Sequence, residues 1–263
     1  MKISAKVIAD SISPDGDRLT TMECTFHRFI LPEVNTYRMW SRNAASSRAI
    51  PLKRRIKEVR ENPAIPVHWG LNEKGMVASE ELPIIASTDA FGTWMEAAMA
   101  ASDYAEILLG LNLHKQTASR ILEPFLWHTS VISSTNFSNC FEQRIHADAQ
   151  PEFRLLAIEM KKAIDDSVPV EIGYREWHLP YLSDNDTVLS EEDKKKVCVA
   201  RVARSSYLNQ DKTNIEADLE LYERLVSAEP PHLSPFEMVA TPAVPGETVL
   251  GNFDGWHQFR HLV

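Results

Sequence analysis

Two hydrophobic periods that no single element can share occur in this sequence. The opening ISAKVIADSI alternates apolar and polar residues, which puts every second side chain on one face of an extended strand. SPDGDR follows, whose Pro, Asp and Gly suit a tight turn, and LTTMECTFHRFI then returns with Thr and aromatic residues, so the first thirty residues predict a β-hairpin. From Asp148 the period changes: Ala149, Phe153, Leu156, Met160 and Ile164 recur every three or four residues, the stripe of an amphipathic helix. A chain carrying both must layer helices on a sheet, and the expectation is one mixed α/β domain, α+β in the wider sense, over residues 1–263.

Between these landmarks the pattern is less uniform. Pro32 suits a first helical position, and Val34, Tyr37, Trp40 and Ala44 at helical spacing predict a helix that runs out into a loop before Pro51. LKRRIKEVRENPAIP predicts a short basic helix stopped by Pro63 and Pro66, and HWGLNEKGMVASEELP a loop. The Ala-rich run to His114 predicts a long helix capped near Ser87 or Thr88. After an amphipathic turn broken at Pro124, the serine-rich run through residue 137 is left open. VCVARVARSSYL has apolar residues two or three apart, and DLELYERLVSAEPP predicts a helix ending at its double proline. No repeat is present.

The net charge of −9 argues against a nucleic-acid partner, because binding a phosphate backbone requires a positive surface, although one local cationic pocket is compatible with it. No apolar run approaches the roughly 20 residues of a membrane span, and the N-terminus lacks a signal peptide's apolar core, so a cytoplasmic protein without a membrane partner is expected. Cys24, Cys140 and Cys198 are far apart and form no CxxC, which predicts reduced core cysteines.

Against that acidic background, NTYRMWSRNAASSRAIP contains no Asp or Glu. Arg38, Arg42 and Arg48 supply guanidinium forks, which meet phosphate in parallel hydrogen bonds, while Ser41, Asn43, Ser46 and Ser47 supply neutral donors. The competing reading is a solvated basic helix continuing into LKRRIK. A second cluster, Thr135, Asn136, Asn139, Gln143 and Arg144, combines amides able to read the edge of a base with a cation able to stabilise charge on its carbonyl; the alternative is the polar edge of a helix. ARVARSSYL and HLSPFE, by themselves, read as structural element ends, a strand end and a helix start. His257 and His261 share a helical spacing, but no glutamate lies between them and no third ligand is evident, so a surface helix end rather than a metal site is expected. P-loop, dinucleotide-fold and serine-hydrolase motifs are absent.

Together these clusters resemble the flavin-dependent thymidylate synthase (thymidylate synthase complementing protein) family. Its signature RHRxxSxNxxSxR is similar to TYRMWSRNAASSR, which keeps Arg38, Ser41, Asn43, Ser46 and Arg48 at matching spacing. RIHADAQPEFR resembles the family's arginine followed by an Ala-Gln-x-Glu helix. It sets Arg144 where a uracil-contacting arginine stands, with Asn139 five residues before it, and Arg120 in RILEP resembles a phosphate-binding arginine. The family's AAR-x-SY and H-x-SPFEH elements precede its signature, whereas here ARSSY and HLSPFE follow it, so the resemblance implies a circularly permuted, divergent member with a mixed sheet and long helices.

The resemblance implies a homotetrameric methyltransferase of nucleotide biosynthesis, moving a one-carbon unit from methylenetetrahydrofolate to C5 of deoxyuridine monophosphate (dUMP), with FAD and NADPH supplying hydride. It assigns Arg144 and Ser46 to the reacting end, Ser46 in a binding role because no His or Lys is evident to activate it. The nucleotide would meet Arg48, Ser46, Ser47, Arg120, Asn139 and Glu33. Flavin would meet Arg38, Asn43, Ser133 and Thr135 from the first part of the chain, and Ser205, His232, Ser234, Arg260 and His261 from the second. The pattern departs from the family at Thr36 and Tyr37, which stand where an Arg and a His hold flavin, and at Ala44 and Ala49. Arg260 and His261 are the candidates to replace the lost pair. Two alternatives follow from these departures: a pyrimidine nucleotide-modifying relative that stops at hydroxymethyl transfer, and a non-catalytic nucleotide-binding homologue. Residues 53–115 lie outside the resemblance.

Overall fold

In the computed structural model, which describes residues 2–208 and 214–263, the first two strands form the expected hairpin. Strand β1, Ser4–Ile12, pairs antiparallel with β2, Arg18–His27, across a turn closed by Ser13 N–H to Asp17 O at 2.9 Å. Gly16 sits in that turn at φ +90°, a conformation open to glycine without steric cost. The serine-rich run that the sequence left open is β4, Trp127–Ser134, antiparallel to β2.

The segment predicted as a helix through Ala44 is corrected. Only Leu31–Val34 is helical (α1), and Ser41–Ala44 is an edge strand, β3, with Ser41 opposite Ser133 and Ala44 opposite Ser130 on β4. Arg42 Nη1 donates to Tyr37 O at 2.7 Å and folds the chain back between the two pieces. With β5, Val170–Glu171, running parallel to β1, the mixed sheet has the order β3-β4-β2-β1-β5.

Strand periodicity splits the sheet into two faces. Met22, Cys24, Phe26 and Ile132 point toward α6, Pro151–Asp165, and meet its Phe153, Leu156, Ala157 and Met160, all fully buried. Gln150 caps α6 by accepting Phe153 N–H at 2.7 Å, and Pro151 pre-sets the first turn. Phe153→Ala would remove the largest contributor from that helix, at a cost of about 3–5 kcal/mol. On the opposite face, Val131 packs with Val202 and Met238 from the last third of the chain.

That last third is built on α7, Glu191–Arg204, and α8, Ile215–Val226, joined by a buried charge cluster. Arg201 bonds Asp186 at 2.8 Å and Asp218 at 3.0 Å, and Arg204 bonds Asp218 at 2.7 Å. Two cations facing two carboxylates leave no net charge in the interior, the condition for burying them. The run VCVARVAR is therefore helical. A short antiparallel pair, β6 (Ala240–Pro242) with β7 (Trp256–Gln258), closes the far side.

Helix α2, Leu52–Glu61, ends as expected before Pro63, and packs on α3, Ile84–Gly110. Helix α3 starts three residues before the earlier of the two expected caps. Its first turn follows Pro83, and the Ser87 and Thr88 hydroxyls bond back to Leu82 O and Ile84 O. Of its 27 residues only Ala98, Ser102 and Ala105 are fully buried, while Ile84, Ile85, Tyr104 and Ile107 are exposed. No helix among the described residues is long and apolar enough to cross a membrane. The cysteines are buried and unpaired, as expected.

Candidate functional site

The loop between β3 and α2 is held from three directions. Asn43 Nδ2 donates to Val202 O at 2.8 Å and to Ser205 Oγ at 2.7 Å, and Ser234 Oγ approaches Asn43 Oδ1 at 3.5 Å. Ser46 N–H donates to Ser206 O at 3.0 Å, and the Ser46 hydroxyl accepts Arg48 N–H at 3.2 Å. A single amide thus joins the Ser-Arg-Asn strand, the ARSSY helix end and the SPFE turn, Ser234–Met238, which are widely separated in the chain.

On its other side the loop reaches Glu123. Oxygen Oε1 of Glu123 accepts Ser47 Oγ at 2.9 Å, Arg120 Nη1 at 2.8 Å and Arg28 Nη2 at 3.3 Å. Ser47 is buried and its hydroxyl is engaged by this carboxylate. Arg120 and Arg48 are exposed. Arg28, Arg120 and Glu123 line a cleft of about 610 Å³ together with Asn35 and the apolar Phe29, Leu31, Pro32 and Pro124. Arg28 Nη1 also donates to Nδ1 of His128 at 2.9 Å, which fixes the imidazole proton on Nε2. Burial lowers the Arg28 pKa, with the Glu123 carboxylate opposing that shift, and His128 is pushed well below the usual imidazole range by the same desolvation.

A second hollow, about 310 Å³, opens one residue further along the same segment. Thr36, Tyr37, Arg38, Met39 and Trp40 line it from one strand of chain, and Asn136, Asn139, Cys140 and Gln143 from the other. Tyr37 stacks on Trp40 with centroids 4.5 Å apart, an aromatic floor beside three amides. Helix α5, Ser138–Arg144, carries Asn139 and Gln143 and ends at Arg144, whose Nε donates to Tyr37 Oη at 3.0 Å while the guanidinium lies 4.9 Å from the Phe153 ring centroid. Arg144 reaches the hollow through Tyr37. Burial raises the Tyr37 pKa although Arg144 opposes it, so the hydroxyl stays a neutral donor. Burial also pushes the Cys140 thiol up to about 12, which leaves it protonated and no nucleophile.

Arg48, Arg120 and Arg144 therefore do not line one common hollow within a chain: Arg120 borders the cleft, Arg144 backs the hollow, and Arg48 lines neither. Glu33, on α1 between the two, has a buried Oε2 without a hydrogen-bond partner. Arg28, Tyr37, Trp40 and Glu123 were not marked as ligands by the sequence. Glu123, three residues after Arg120, could have been found as an i,i+3 ion pair, but Arg28 follows a strand end with no local signal.

The residues expected around flavin do not fit a cradle for it within one chain. Asn43, Ser133 and Ser205 are buried, and their polar groups are spent on internal bonds, Ser133 Oγ with Thr21 Oγ1 at 2.6 Å. Thr135 Oγ1 accepts Asp254 N–H at 3.1 Å, and Arg260 pairs with Glu237 of the SPFE turn. Arg38, His232 and His261 are exposed, and Ser234 faces Asn43. His257 lies on β7 and His261 in a 3-10 turn, not on the surface helix expected of them, and no group of three metal-ligating side chains occurs among the described residues.

No family model and no curated protein matches the sequence. Among solved structures, the UMP/dUMP methylase PolB from Streptomyces cacaoi bound with 5-Br dUMP superposes with a TM-score of 0.50 at 13% identity, covering 62% of this chain and 90% of that one. The same protein bound with 5-Br UMP gives 0.49 at 15%, over 62% and 88%. The flavin-dependent thymidylate synthase ThyX from Helicobacter pylori, complexed with FAD and dUMP, gives 0.37 at 20%, over 56% and 67%. At 13% identity the PolB likeness is one of fold, and the mixed sheet with long helices agrees with it.

Proposed function

We propose that this protein is an enzyme that modifies C5 of a uracil nucleotide, with dUMP as its substrate and methylenetetrahydrofolate as the one-carbon donor. The observation that carries the reading is the meeting of three sequence blocks at Asn43. The blocks that resemble the thymidylate synthase signature are permuted along the chain, yet the Ser-Arg-Asn strand, ARSSY and SPFE come together around one amide. A fold shared with a UMP/dUMP methylase supports it independently.

In this reading the uracil ring lies against Tyr37, which Trp40 backs from the other side, and Asn136, Asn139 and Gln143 read its donor and acceptor edge. The Tyr37 hydroxyl, held by Arg144, donates to a ring carbonyl and so binds and orients the base. Arg120, on the adjoining cleft, takes the phosphate. A homotetramer would let a neighbouring chain complete the site, which light scattering on the purified protein tests directly.

Two products are compatible with this arrangement. Methyl transfer needs a hydride, from NADPH through FAD, whereas hydroxymethyl transfer leaves the carbon at the oxidation level of formaldehyde and needs no reductant. The deciding experiment is the mass of the product formed from dUMP and methylenetetrahydrofolate, with and without FAD and NADPH, by the wild type and Arg144→Ala. Thymidylate only with FAD and NADPH supports the first product, and hydroxymethyl-dUMP without them the second. No turnover under any condition removes the proposal in favour of a non-catalytic nucleotide-binding protein, and turnover unchanged in Arg144→Ala removes Arg144 and the Tyr37 hydroxyl it holds from the reacting end.

A further inference from the structure

The cleft beside α1 holds two arginines, and only Arg120 is accounted for by resemblance. Arg28 comes from the end of β2, some ninety positions earlier in the chain, and converges with Arg120 on the single oxygen Oε1 of Glu123. Its position is fixed from behind, because Nη1 is bonded to His128 Nδ1, and His128 is itself buried. A guanidinium anchored on one edge and lining an open cleft on the other is a pre-oriented anion ligand. Glu123 already supplies an anion. It sits three-quarters buried between the two cations and is further tied by Ser47.

We propose that Arg28 and Arg120 together form the anion subsite of this cleft, and that Glu123 is its internal counter-ion, which an incoming phosphate monoester must displace. The inference rests on the nucleotide reading only for what carries the phosphate. Displacement exchanges a carboxylate of charge −1 for a group of about −1.5 to −2 with three acceptor oxygens, so the exchange favours a monoester. A phosphodiester or a carboxylate brings no more charge than Glu123 does and gains nothing by replacing it. Glu123 thereby makes the cleft selective for terminal phosphate, with the apolar Phe29, Leu31 and Pro124 lining the rest of it.

The test is calorimetric titration of the full chain with dUMP, deoxyuridine and inorganic phosphate. Glu123→Gln keeps an acceptor for Ser47 but removes the competing charge, and should tighten both dUMP and inorganic phosphate by about tenfold. Arg28→Gln should weaken both by about tenfold or more and leave deoxyuridine unchanged. Should Arg28→Gln fail to fold, the rise in Tm on adding inorganic phosphate, compared between wild type and Glu123→Gln, reads the same competition.

Phosphate that follows this pattern while dUMP does not bind sinks the nucleotide reading and leaves the subsite standing. Binding of dUMP that is insensitive to both changes does the reverse. If neither ligand binds, or if Glu123→Gln weakens phosphate, the subsite is overturned.

Discussion

Asn43 Nδ2 lies 2.7 Å from Ser205 Oγ and 2.8 Å from Val202 O, so one buried amide fastens the edge strand β3 to the C-terminal end of α7. Asn43→Ala leaves that carbonyl without a donor in the interior, and is expected to cost about 1–3 kcal/mol. Asn43→Asp turns an acceptor toward the Val202 carbonyl and is expected to cost more. Urea denaturation measures both; an Ala variant as stable as wild type would show that the contact does not hold the two elements.

His178 predicts acid sensitivity. It is fully buried between Thr21 Oγ1 at 2.7 Å and Ser11 Oγ at 2.9 Å, and burial lowers its pKa to about 3. An unfolded imidazole titrates near about 6.5, so between the two values the unfolded chain binds a proton that the native one does not. Stability is full above the unfolded value and is lost as pH falls, by about 1.4 kcal/mol per unit for this group. Burial lowers His27, to about 4, and His128 in the same direction. Asp186, held low chiefly by Arg201, adds its own loss at more acidic pH. Chemical denaturation at pH 7 and pH 5 should give a clearly lower midpoint at pH 5, and His178→Gln should flatten that dependence. An unchanged midpoint in the wild type would contradict the buried neutral state.

The charge cluster between α7 and α8 makes Arg201 one of the most sensitive positions in that layer. Arg201→Ala strands the fully buried Asp218 with Arg204 alone and leaves Asp186 without its guanidinium, at an expected cost of about 3–5 kcal/mol. Arg201→Lys cannot bridge two carboxylates with a planar fork and should recover only part of that stability. Thermal unfolding of the two variants orders them, and a Lys variant as stable as wild type would show that charge alone suffices.

Tyr37→Phe separates the hydroxyl from the ring. The ring still stacks on Trp40, so stability should change little, while dUMP affinity should fall by about threefold to tenfold through loss of one hydrogen bond. Trp40 fluorescence on titration with dUMP is the natural readout, because its ring lies 4.5 Å from the one removed of its hydroxyl. Equal affinity in both proteins would take Tyr37 and Arg144 out of base recognition.

The hairpin and α6 were legible because their burial is one-sided and their side chains keep one period over nine or more residues. Strand β3 was not. Val34, Tyr37, Trp40 and Ala44 do fall at helical spacing, but the pairing with β4 and the bond from Arg42 to Tyr37 O override it, and four residues are too few for alternation to appear. The motif residues of the site could be marked one at a time. What could not be read was which of them face a hollow: Ser47, Ser133 and Ser205 look like donors in the sequence and are buried struts in the fold, whereas Arg28 gains its meaning only from a contact with Glu123 across 95 positions.

The amide bridge at Asn43 also sets an order of events during synthesis. Its partners Val202, Ser205 and Ser234 follow it by 159, 162 and 191 positions, so the loop after β3 leaves the ribosome long before anything exists to close over it. Until the C-terminal third emerges, β3 is an open edge beside β4, and closure over so long a separation is slow. A nascent chain of this protein has its fingerprint early and its lock last, which makes premature termination anywhere before Ser205 a loss of the site as well as of length.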